Sequence, residues 1–457
     1  MTKVITYGTF DLFHQGHYNL LKHAKALGDY LIVGVTSEHF DENRGKINVL
    51  EDVLTRVQHV KDTGFADQII IEDHEGQKIE DIQRYGVDIF TVGSDWVGTF
   101  DYLNQYCKVV YLPRTPDISS TAIRSNMFQP VRIGIVGTGR MAPRFISEAK
   151  YVSGAQIIAA YNPVNGAESF SEFRTHFPSL IYETENYEHF LELIDAVYIA
   201  SPNETHYNYA QKALLQGKHV LSEKPLAFTK RETQELYDLA ETKNLVLLEA
   251  VKAAYCPGFQ ELINVAESGR IGEIKDIEAD FTRLAAENSR ERTDAEYGGA
   301  FYEFGPSVLV PIIKLLGTNY KDISFHSIFD TNGVDEYDKM DIYYDNAMAS
   351  ARTGVAVKTE GQLVISGTKG YILAQSPWWL TKHFEVRYED SEKIESYDPP
   401  FRGDGLRYEI SEFIRKIIGF SRNGYKLTAE ESIFMAEIIE KYTEYKNKQT
   451  SGIDHLN

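Results

Sequence analysis

Two apolar segments that each end at a glycine constrain the fold of this chain most strongly. The first runs from Val4 to Gly8 and the second from Val131 to Gly137, and an amphipathic segment follows each glycine turn. A strand that ends in a glycine turn and leads into a helix leaves backbone N–H groups exposed, where they suit an anion such as a phosphate. The sequence therefore predicts two nucleotide-binding α/β units in one chain.

Length and charge limit the class of protein. A chain of 457 residues is long for one core, so we expect two or three domains. The net charge of −20 argues against a nucleic-acid partner. Two cysteines, Cys107 and Cys256, imply no disulfide framework and a reducing compartment. Because we find no signal peptide and no apolar run of about 18 residues, we expect a cytoplasmic protein without a membrane partner.

Strands and helices alternate through the first unit. Strands are predicted at 30–35, 68–72, 88–92 and 109–112, and helices at 51–61 and 77–85. This alternation is typical of a doubly wound parallel sheet, in which ligands bind beyond the carboxyl ends of the strands. Gly8, Gly93 and Arg114 all follow predicted strands, so we expect them at one crevice.

Two histidines follow the first glycine turn. His14 and His17 are three residues apart and so share one face of a helix. An isolated pair of this kind is more commonly found on a protein surface without a function. Here it occurs with the segments 7–12, 93–96 and 111–121, and together they make residues 1 to about 124 resemble the glycerol-3-phosphate cytidylyltransferase family.

That resemblance implies that the oxygen of a polyol phosphate attacks the α-phosphorus of CTP and pyrophosphate leaves. His14, His17 and Arg114 would be catalytic. The residues expected to bind CTP are Gly8, Thr9, Phe10, His14, His17, Arg114, Thr115, Ile118, Ser119, Ser120 and Thr121. Those expected to bind the polyol phosphate are Asp11, Arg44, Lys46, Lys78 and Asp95. Mg²⁺ is implied by the triphosphate and would be held mainly by its oxygens, since we assign no protein ligands to it.

The second unit carries G-x-G-x-x-A from Gly137 to Ala142, which alone is a weak signal for dinucleotide binding. Together with the segments 196–206 and 217–227, it makes the chain from Val131 onward resemble the glucose–fructose oxidoreductase / inositol dehydrogenase (Gfo/Idh/MocA) family of NAD(P)-dependent enzymes. The resemblance places Lys224 beside the nicotinamide as a catalytic residue, before a proline that is commonly cis. The expected cofactor-binding residues are Gly137, Gly139, Arg140, Met141, Ala142, Tyr161, Asn162, Ser201, Asn203, His206, Glu223 and Lys224. His206 has an alternative reading as a structural histidine at a helix start.

Two positions depart from the second family. Tyr161 and Asn162 stand where the family usually has an acid for the adenosine ribose, so repulsion of a 2′-phosphate is lost and NADP is favoured over NAD. Glu303 and Ser307 stand where the family commonly has Asp and His or Tyr. We assign Glu303 as catalytic. For the proton, three alternatives stay open: Lys224 carries it, Tyr302 supplies it, or this half has lost its activity.

The predicted fold class is α/β. A doubly wound nucleotidyltransferase (Rossmann-like) domain is expected at 1–127 and an NAD(P)-binding Rossmann domain at 130–252. An α+β domain with an open, mostly antiparallel sheet is expected at 253–457. By resemblance this last domain would bind substrate and pair subunits into a homodimer or larger homo-oligomer. Trp378 and Trp379 fit either core packing or an interface, and the polar end 446–457 is expected to fray.

The leading function is a bifunctional enzyme that makes a CDP-activated polyol. One half would reduce a sugar phosphate with NAD(P)H, and the other would transfer CMP from CTP to the resulting polyol phosphate. By resemblance, such products supply teichoic-acid-like or capsular polymers in bacteria. The alternative is a monofunctional cytidylyltransferase whose second half is a non-catalytic NAD(P)-binding sensor or scaffold. A weaker alternative gives the first half a different acceptor, such as choline, ethanolamine or flavin phosphate.

Overall fold

The computed structural model describes residues 1–37, 40–41, 49, 51–74, 76–113, 129–152, 154–162, 182–399, 401–419 and 426–451. The chain divides into two compact units, Met1–Pro130 and Val131–Asn457. Within the described ranges, no helix combines the length and the apolar character that a membrane span requires.

The first unit contains a five-stranded parallel sheet in the order β3-β2-β1-β4-β5. The strands are β1 (Lys3–Gly8), β2 (Tyr30–Thr36), β3 (Gln68–Glu72), β4 (Ile89–Gly93) and β5 (Lys108–Leu112). The described helices are α1 (Gln15–Lys25), α2 (Val53–Asp62) and α3 (Gln77–Tyr85), with 3-10 turns at Ser94–Trp96 and Asp101–Gln105. The strand order reverses between β1 and β4, and in a sheet of this type a ligand binds at that reversal.

Apolar side chains cover both faces of this sheet, which explains the uninterrupted hydrophobic strands. Leu21 of α1 and Val60 of α2 pack on one face with Val33. Ile82 of α3 packs on the other face with Phe90. The sheet is therefore packed by apolar side chains on both faces.

The second unit begins with a six-stranded parallel sheet in the order β11-β10-β9-β6-β7-β8. The strands are β6 (Val131–Val136), β7 (Ala155–Tyr161), β8 (Tyr182–Thr184), β9 (Ala196–Ile199), β10 (His219–Glu223) and β11 (Leu247–Ala250). The described helices between them are α4 (Met141–Ala149), α5 (Tyr187–Leu193), α6 (His206–Leu215) and α7 (Lys230–Thr242). Here the order reverses between β6 and β9, next to the Gly137 turn.

An eight-stranded sheet follows in the order β13-β14-β15-β12-β16-β17-β18-β19, antiparallel except for the β12–β15 pair. Its strands are β12 (Ile274–Thr282), β13 (Asp322–Phe329), β14 (Asp335–Tyr343), β15 (Met348–Gly354), β16 (Leu363–Gly367), β17 (Gly370–Ala374), β18 (Phe384–Tyr388) and β19 (Ile394–Tyr397). The remaining helices are α8 (Lys252–Tyr255), α9 (Pro257–Glu267), α10 (Arg290–Thr293), α11 (Ala300–Leu316), α12 (Leu406–Ile417) and α13 (Ala429–Thr450). The predicted fold class is confirmed.

Helix α11 is buried over most of its length. It carries Glu303, a predicted catalytic residue, in its first turn. Trp378 is fully buried, and its indole N–H donates to the Asp280 carbonyl at 2.7 Å. Trp379 stacks on Phe281 with ring centroids 3.7 Å apart. Trp378 is thus a core residue of this unit.

The expectation that residues 446–457 fray is wrong for the described part of that segment. Helix α13 continues to Thr450, and the Lys446 amine is buried at 2.8 Å from the Asp335 carboxylate. The other Asp335 oxygen accepts from the Phe301 N–H at 2.9 Å, in the first turn of α11. The pair therefore connects the last helix to the start of α11. Residues 452–457 lie outside the described ranges.

We predict that Lys446→Met lowers the free energy of unfolding of the second unit by about 3–5 kcal/mol, because it leaves a buried carboxylate without its cation. Urea unfolding measures this. The exposed Lys448→Met on the same helix is the control and should change stability by about 0.5 kcal/mol or less. Equal losses in the two variants would show that the buried pair has no special role.

Candidate active sites

The two histidines lie at the first turn of α1, directly beyond β1. His14 caps the helix, and its Nδ1 accepts the Gly16 N–H at 3.1 Å. A neutral ring that accepts at Nδ1 carries its proton on Nε2, so the outer nitrogen of His14 is a donor. The His17 ring stacks on the His14 ring with centroids 3.9 Å apart. Two imidazoles at a helix N-terminus form a site suited to phosphate oxygens.

The backbone before His14 is held in an unusual conformation. Phe10 and Leu12 have φ angles of +56° and +49°, which non-glycine residues rarely adopt and which concentrate at functional sites. The buried Phe10 ring folds over Gly8, where an added Cβ would lie 2.9 Å from it. The side chain of Phe10 is therefore part of the core of the first unit.

Three residues that the sequence analysis did not single out hold the loop between β1 and α1. Arg56 is fully buried and donates to the carbonyls of Thr9 and Thr36, each at 2.8 Å. It also pairs with Asp41 at 3.4 Å, and Asp41 in turn accepts from the Thr9 hydroxyl at 3.0 Å. Glu51 is the third, and it accepts the Leu12 N–H at 2.8 Å.

A sequence signal for Arg56 exists. It lies three residues after Val53 and four before Val60, so it occupies the apolar face of α2. A charged residue on such a face is buried only when it is paired and hydrogen-bonded, which is what the structure shows.

The predicted acceptor residues have distinct surroundings. The buried Asp11 carboxylate accepts the Glu51 N–H at 3.0 Å, so it also holds the loop. Lys78 is buried in the first turn of α3, paired with Glu72 and 4.7 Å from the centre of the Tyr7 ring. Asp95 is exposed in the 3-10 turn after β4. Arg44, Lys46 and the predicted CTP-binding residues Arg114, Thr115, Ile118, Ser119, Ser120 and Thr121 lie outside the described ranges.

The two glycines in the glycine motif of the second unit have different surroundings. Gly137 has φ +90°, and a Cβ there would lie 2.7 Å from the Ala200 carbonyl oxygen. At Gly139 no described atom lies within 4 Å of an added Cβ. Ala142 is buried in α4, whose first residue, Met141, is partly buried. The open space over Gly139 at the start of a helix fits the pyrophosphate of a dinucleotide.

The turn that carries Lys224 is fixed from several sides. The Lys224–Pro225 peptide is cis, and the N–H of Leu226 donates to the Glu249 carboxylate at 3.0 Å. Burial raises the pKa of Glu249 to about 7. The buried Glu223 carboxylate accepts from the Tyr198 hydroxyl at 2.5 Å. Glu249 is a further residue that the sequence reasoning missed.

His206 connects the two loops at the end of this sheet. Its Nδ1 lies 2.8 Å from the Pro225 carbonyl and its Nε2 lies 2.9 Å from the Ser201 carbonyl. Burial lowers the pKa of His206, and the hydrogen bonds to the two carbonyls oppose this effect. Both ring nitrogens face main-chain oxygens, so the arrangement corresponds to the structural alternative for this histidine.

Lys224 and Glu303 lie together. The Lys224 ammonium contacts the Glu303 carbonyl oxygen and lies 3.6 Å from a carboxylate oxygen of the same residue. Arg140 of the glycine motif donates to the other carboxylate oxygen at 3.0 Å. Ser307 is buried one turn farther along α11. The structure thus gathers two predicted catalytic residues and one predicted cofactor-binding residue.

Tyr302 does not point its hydroxyl into this group. The hydroxyl lies 2.8 Å from the Thr443 hydroxyl of α13, and its ring packs against Phe228 and Tyr442. Burial raises the pKa of Tyr302. The proposal that Tyr302 replaces the usual proton donor has no support in this geometry.

Tyr161, a predicted cofactor-binding residue at the end of β7, has its side chain in the core. That ring is buried against three others, those of Tyr187, Phe190 and Tyr209, with centroids 5.0–5.8 Å away. Asn162 points back to the glycine motif, where its amide donates to the Thr138 hydroxyl at 2.8 Å.

Ser201 and Asn203, two of the predicted cofactor-binding residues, follow β9. The Ser201 hydroxyl lies 2.6 Å from the Thr205 hydroxyl, and the Asn203 amide donates to the Tyr297 carbonyl at 3.0 Å. Across the described residues, no group of three or more His, Cys, Asp or Glu side chains is placed to hold a metal ion.

Comparison with known proteins separates the two units. Residues 5–126 match the cytidylyltransferase-like family. Residues 131–251 match the NAD-binding Rossmann fold of the GFO/IDH/MocA oxidoreductase family, and residues 259–373 match its C-terminal domain. The glycerol-3-phosphate cytidylyltransferase of Bacillus spizizenii is 47% identical over 127 residues, which are 28% of this chain and 98% of that protein. The chain belongs to both families.

Both resemblances inferred from the sequence are therefore confirmed. The oxidoreductase half of this cytidylyltransferase–oxidoreductase is similar to the scyllo-inositol 2-dehydrogenase (NADP(+)) IolU of Bacillus subtilis. The identity is 27% over 320 residues, covering 68% of this chain and 95% of that one. The 3-ketoreductase KijD10 of Actinomadura kijaniata, solved with NADP and TDP-benzene, superposes with a TM-score of 0.61 at 21% identity. That match covers 68% of this chain and 96% of the other and concerns the fold.

We predict that the two glycines of the motif fail differently when replaced. Gly137→Ala should lower the melting temperature, because its Cβ meets the Ala200 carbonyl and its φ is left-handed. Gly139→Ala should leave the melting temperature unchanged and weaken NADPH binding at least tenfold, because its Cβ occupies the space expected for the pyrophosphate. Thermal unfolding and calorimetry measure the two effects. An unchanged NADPH affinity in Gly139→Ala would place the cofactor elsewhere.

Proposed function

We propose that this chain makes a CDP-activated polyol in two steps. The oxidoreductase half reduces the carbonyl of a sugar phosphate with NADPH, and the cytidylyltransferase half transfers CMP from CTP to the polyol phosphate formed. The observation that supports it best is the presence in one chain of the His14–His17 pair and the Lys224–Glu303 pair, each at the carboxyl end of a parallel sheet. The similarity to glycerol-3-phosphate cytidylyltransferases favours glycerol-3-phosphate or a related polyol phosphate as the acceptor.

In CMP transfer, a phosphate oxygen of the acceptor attacks the α-phosphorus and the bond to the β-phosphate breaks. Negative charge then grows on the α-phosphate oxygens and on the leaving pyrophosphate. The Nε2–H of His14 and the neighbouring His17 can donate to these oxygens, aided by the N-terminus of α1. Mg²⁺ would enter as the ion carried by CTP.

In the reduction, the glycine motif from Gly137 to Ala142 would hold NADPH, which would supply the hydride when bound. Lys224 gives its proton to the carbonyl oxygen, becomes a neutral amine and regains a proton from water. The Glu303 carbonyl and carboxylate hold the Lys224 ammonium in place. Lys224 is the proton donor in this proposal because Ser307 is a weak acid and the Tyr302 hydroxyl faces Thr443.

We propose NADPH as the reductant. The described end of β7 presents no carboxylate to repel a 2′-phosphate, since Tyr161 is buried and Asn162 is an amide. IolU is named for NADP(+), and KijD10 was solved with NADP. A lower KM for NADPH than for NADH is the expected outcome.

The alternative is a cytidylyltransferase whose second half binds NAD(P) without turnover. Ser307 in the position of the usual His or Tyr is the observation that favours it. The two functions differ in one measurable property, namely NAD(P)H oxidation in the presence of a sugar phosphate.

For the first half, we predict pyrophosphate release from CTP with glycerol-3-phosphate or a pentitol phosphate. His14→Ala should lower kcat at least ~10²-fold, because a donor to the charged transition state is lost. His23→Ala, an exposed histidine on the same helix, is the control and should leave the rate unchanged. Absence of pyrophosphate with every polyol phosphate would overturn the assignment of this half.

For the second half, we predict NADPH oxidation with at least one ketose or aldose phosphate. Lys224→Ala should lower kcat at least ~10²-fold through loss of the proton donor. Lys212→Ala, an exposed lysine of α6, should retain the rate. If no phosphorylated sugar is reduced while NADPH still binds, the monofunctional alternative is correct.

A further inference from the structure

Five charged side chains form what we call the Glu303 cluster: Arg140, Lys224, Arg283, Glu291 and Glu303. Glu303 lies within 3.6 Å of all three cations. Glu291 pairs with both arginines, at 3.2 Å and 2.9 Å. The cluster therefore includes the predicted catalytic lysine, which is joined to it through Glu303.

The cluster is positive in a strongly acidic chain. It holds three cations against two carboxylates, whereas the whole chain carries a net charge of −20. The neighbouring Glu223 is buried, and this burial raises the pKa of its carboxyl group. A local excess of positive charge beside a reacting group attracts an anion and repels a cation.

Arg283 follows β12 and has donors left over. Its Nη2 is the atom paired with both glutamates. Its Nε is buried and has no hydrogen-bond partner among the described residues. A buried N–H without an acceptor costs free energy, and a planar guanidinium can offer two parallel N–H groups to a phosphate. The Nε atom itself is buried, whereas the Arg283 side chain as a whole is 41% exposed, so part of it is accessible from solvent.

The position of Arg283 is fixed by aromatic packing. Its guanidinium carbon lies 5.7 Å from the centre of the Phe304 ring, and Phe304 stacks on Phe281 at 4.4 Å. Phe304 is the residue after Glu303 on α11. The guanidinium is thus oriented in advance, which reduces the entropy lost on binding an anion.

Arg140 has a different role. It precedes α4 within the glycine motif, and its two Nη atoms are both used by Glu291 and Glu303. It therefore belongs to the side of the cluster that carries the glycine motif, whereas Arg283 directly follows β12 of the eight-stranded sheet. Lys224 and Arg283 each lie 3.6 Å from an oxygen of the same carboxylate, so a short sugar phosphate can reach both.

We propose that Arg283 binds the phosphate of the sugar phosphate that this half reduces, and so selects a phosphorylated substrate over the neutral sugar. The proposal rests on the proposed function and names the residue that gives the site its substrate class. Because reduction of the carbonyl does not change the phosphate group, the product keeps the phosphate that the cytidylyltransferase half requires in its acceptor.

The test compares the wild-type chain with Arg283→Met and Arg132→Met. Arg132 is a half-exposed arginine at the start of β6, paired with Asp195, and serves as the matched control. The substrates are dihydroxyacetone phosphate and a pentulose 5-phosphate, each beside its unphosphorylated counterpart, with NADPH. We expect Arg283→Met to raise KM for the phosphorylated substrate ~10- to 100-fold, with kcat changed less. The KM for the unphosphorylated sugar should stay the same, because that sugar has no phosphate to contact Arg283. Arg132→Met should behave as wild type.

A second readout does not depend on turnover. Inorganic phosphate is titrated by calorimetry into protein saturated with CTP and NADPH. Weaker phosphate binding in Arg283→Met supports the assignment even if no sugar phosphate is reduced, in which case only the proposed reaction fails. If reduction occurs and Arg283→Met keeps the wild-type preference for the phosphorylated substrate, the inference about Arg283 is wrong and the reaction stands. Unchanged phosphate binding in Arg283→Met would also overturn it.

Discussion

The oxidoreductase half depends on a close contact between two backbone segments. The contact lies at the end of the central strand β6. Gly137 lies so close to the Ala200 carbonyl that no side chain fits between them. This contact brings the ends of β6 and β9 together and leaves the start of α4 open. A strand end of this kind presents N–H groups and open space, and both suit a phosphate. The first unit obtains the same result with Gly8 under the Phe10 ring and His14 as the helix cap.

The buried cations Arg56 and Lys446 are each paired with a carboxylate. Arg56 is buried under the histidine loop, where it donates to the carbonyls of Thr9 and Thr36 and pairs with Asp41. Lys446 is buried beside Asp335 at the start of α11. Breaking such a pair leaves a buried charge without its partner, which is strongly destabilising. In this chain the two pairs hold the segments that carry His14 and Glu303.

Much of the architecture could be predicted from local patterns. The predicted strand 68–72 and helix 77–85 coincide with β3 and α3. Glycines at both ends of that helix, Gly76 and Gly86, adopt left-handed conformations that mark its limits. The glycine motifs also indicated both families, because their residue types follow from the geometry of phosphate binding. Lys224 and Glu303, 79 residues apart, were assigned by resemblance and lie together in the structure.

What local patterns could not predict depends on partners distant in sequence. Lys446 was expected to fray because its neighbours are polar, and its partner Asp335 is 111 residues away. Tyr161 was expected at the cofactor, yet its ring completes an aromatic cluster with residues of α5 and α6. Arg283 gave no sequence signal, since its relation to Glu291, Glu303 and Phe304 is created by the packing of α11. Such positions are decided by tertiary contacts rather than by propensity.

The central claim is that one chain reduces a sugar phosphate and then activates the product. Incubation with CTP, a panel of sugar phosphates and NADPH deuterated at the transferred position, followed by mass spectrometry of the nucleotide products, tests it most directly. The account predicts a CDP-polyol that carries the deuterium on carbon. A CDP-polyol that forms only from added polyol phosphate and never contains deuterium would contradict it.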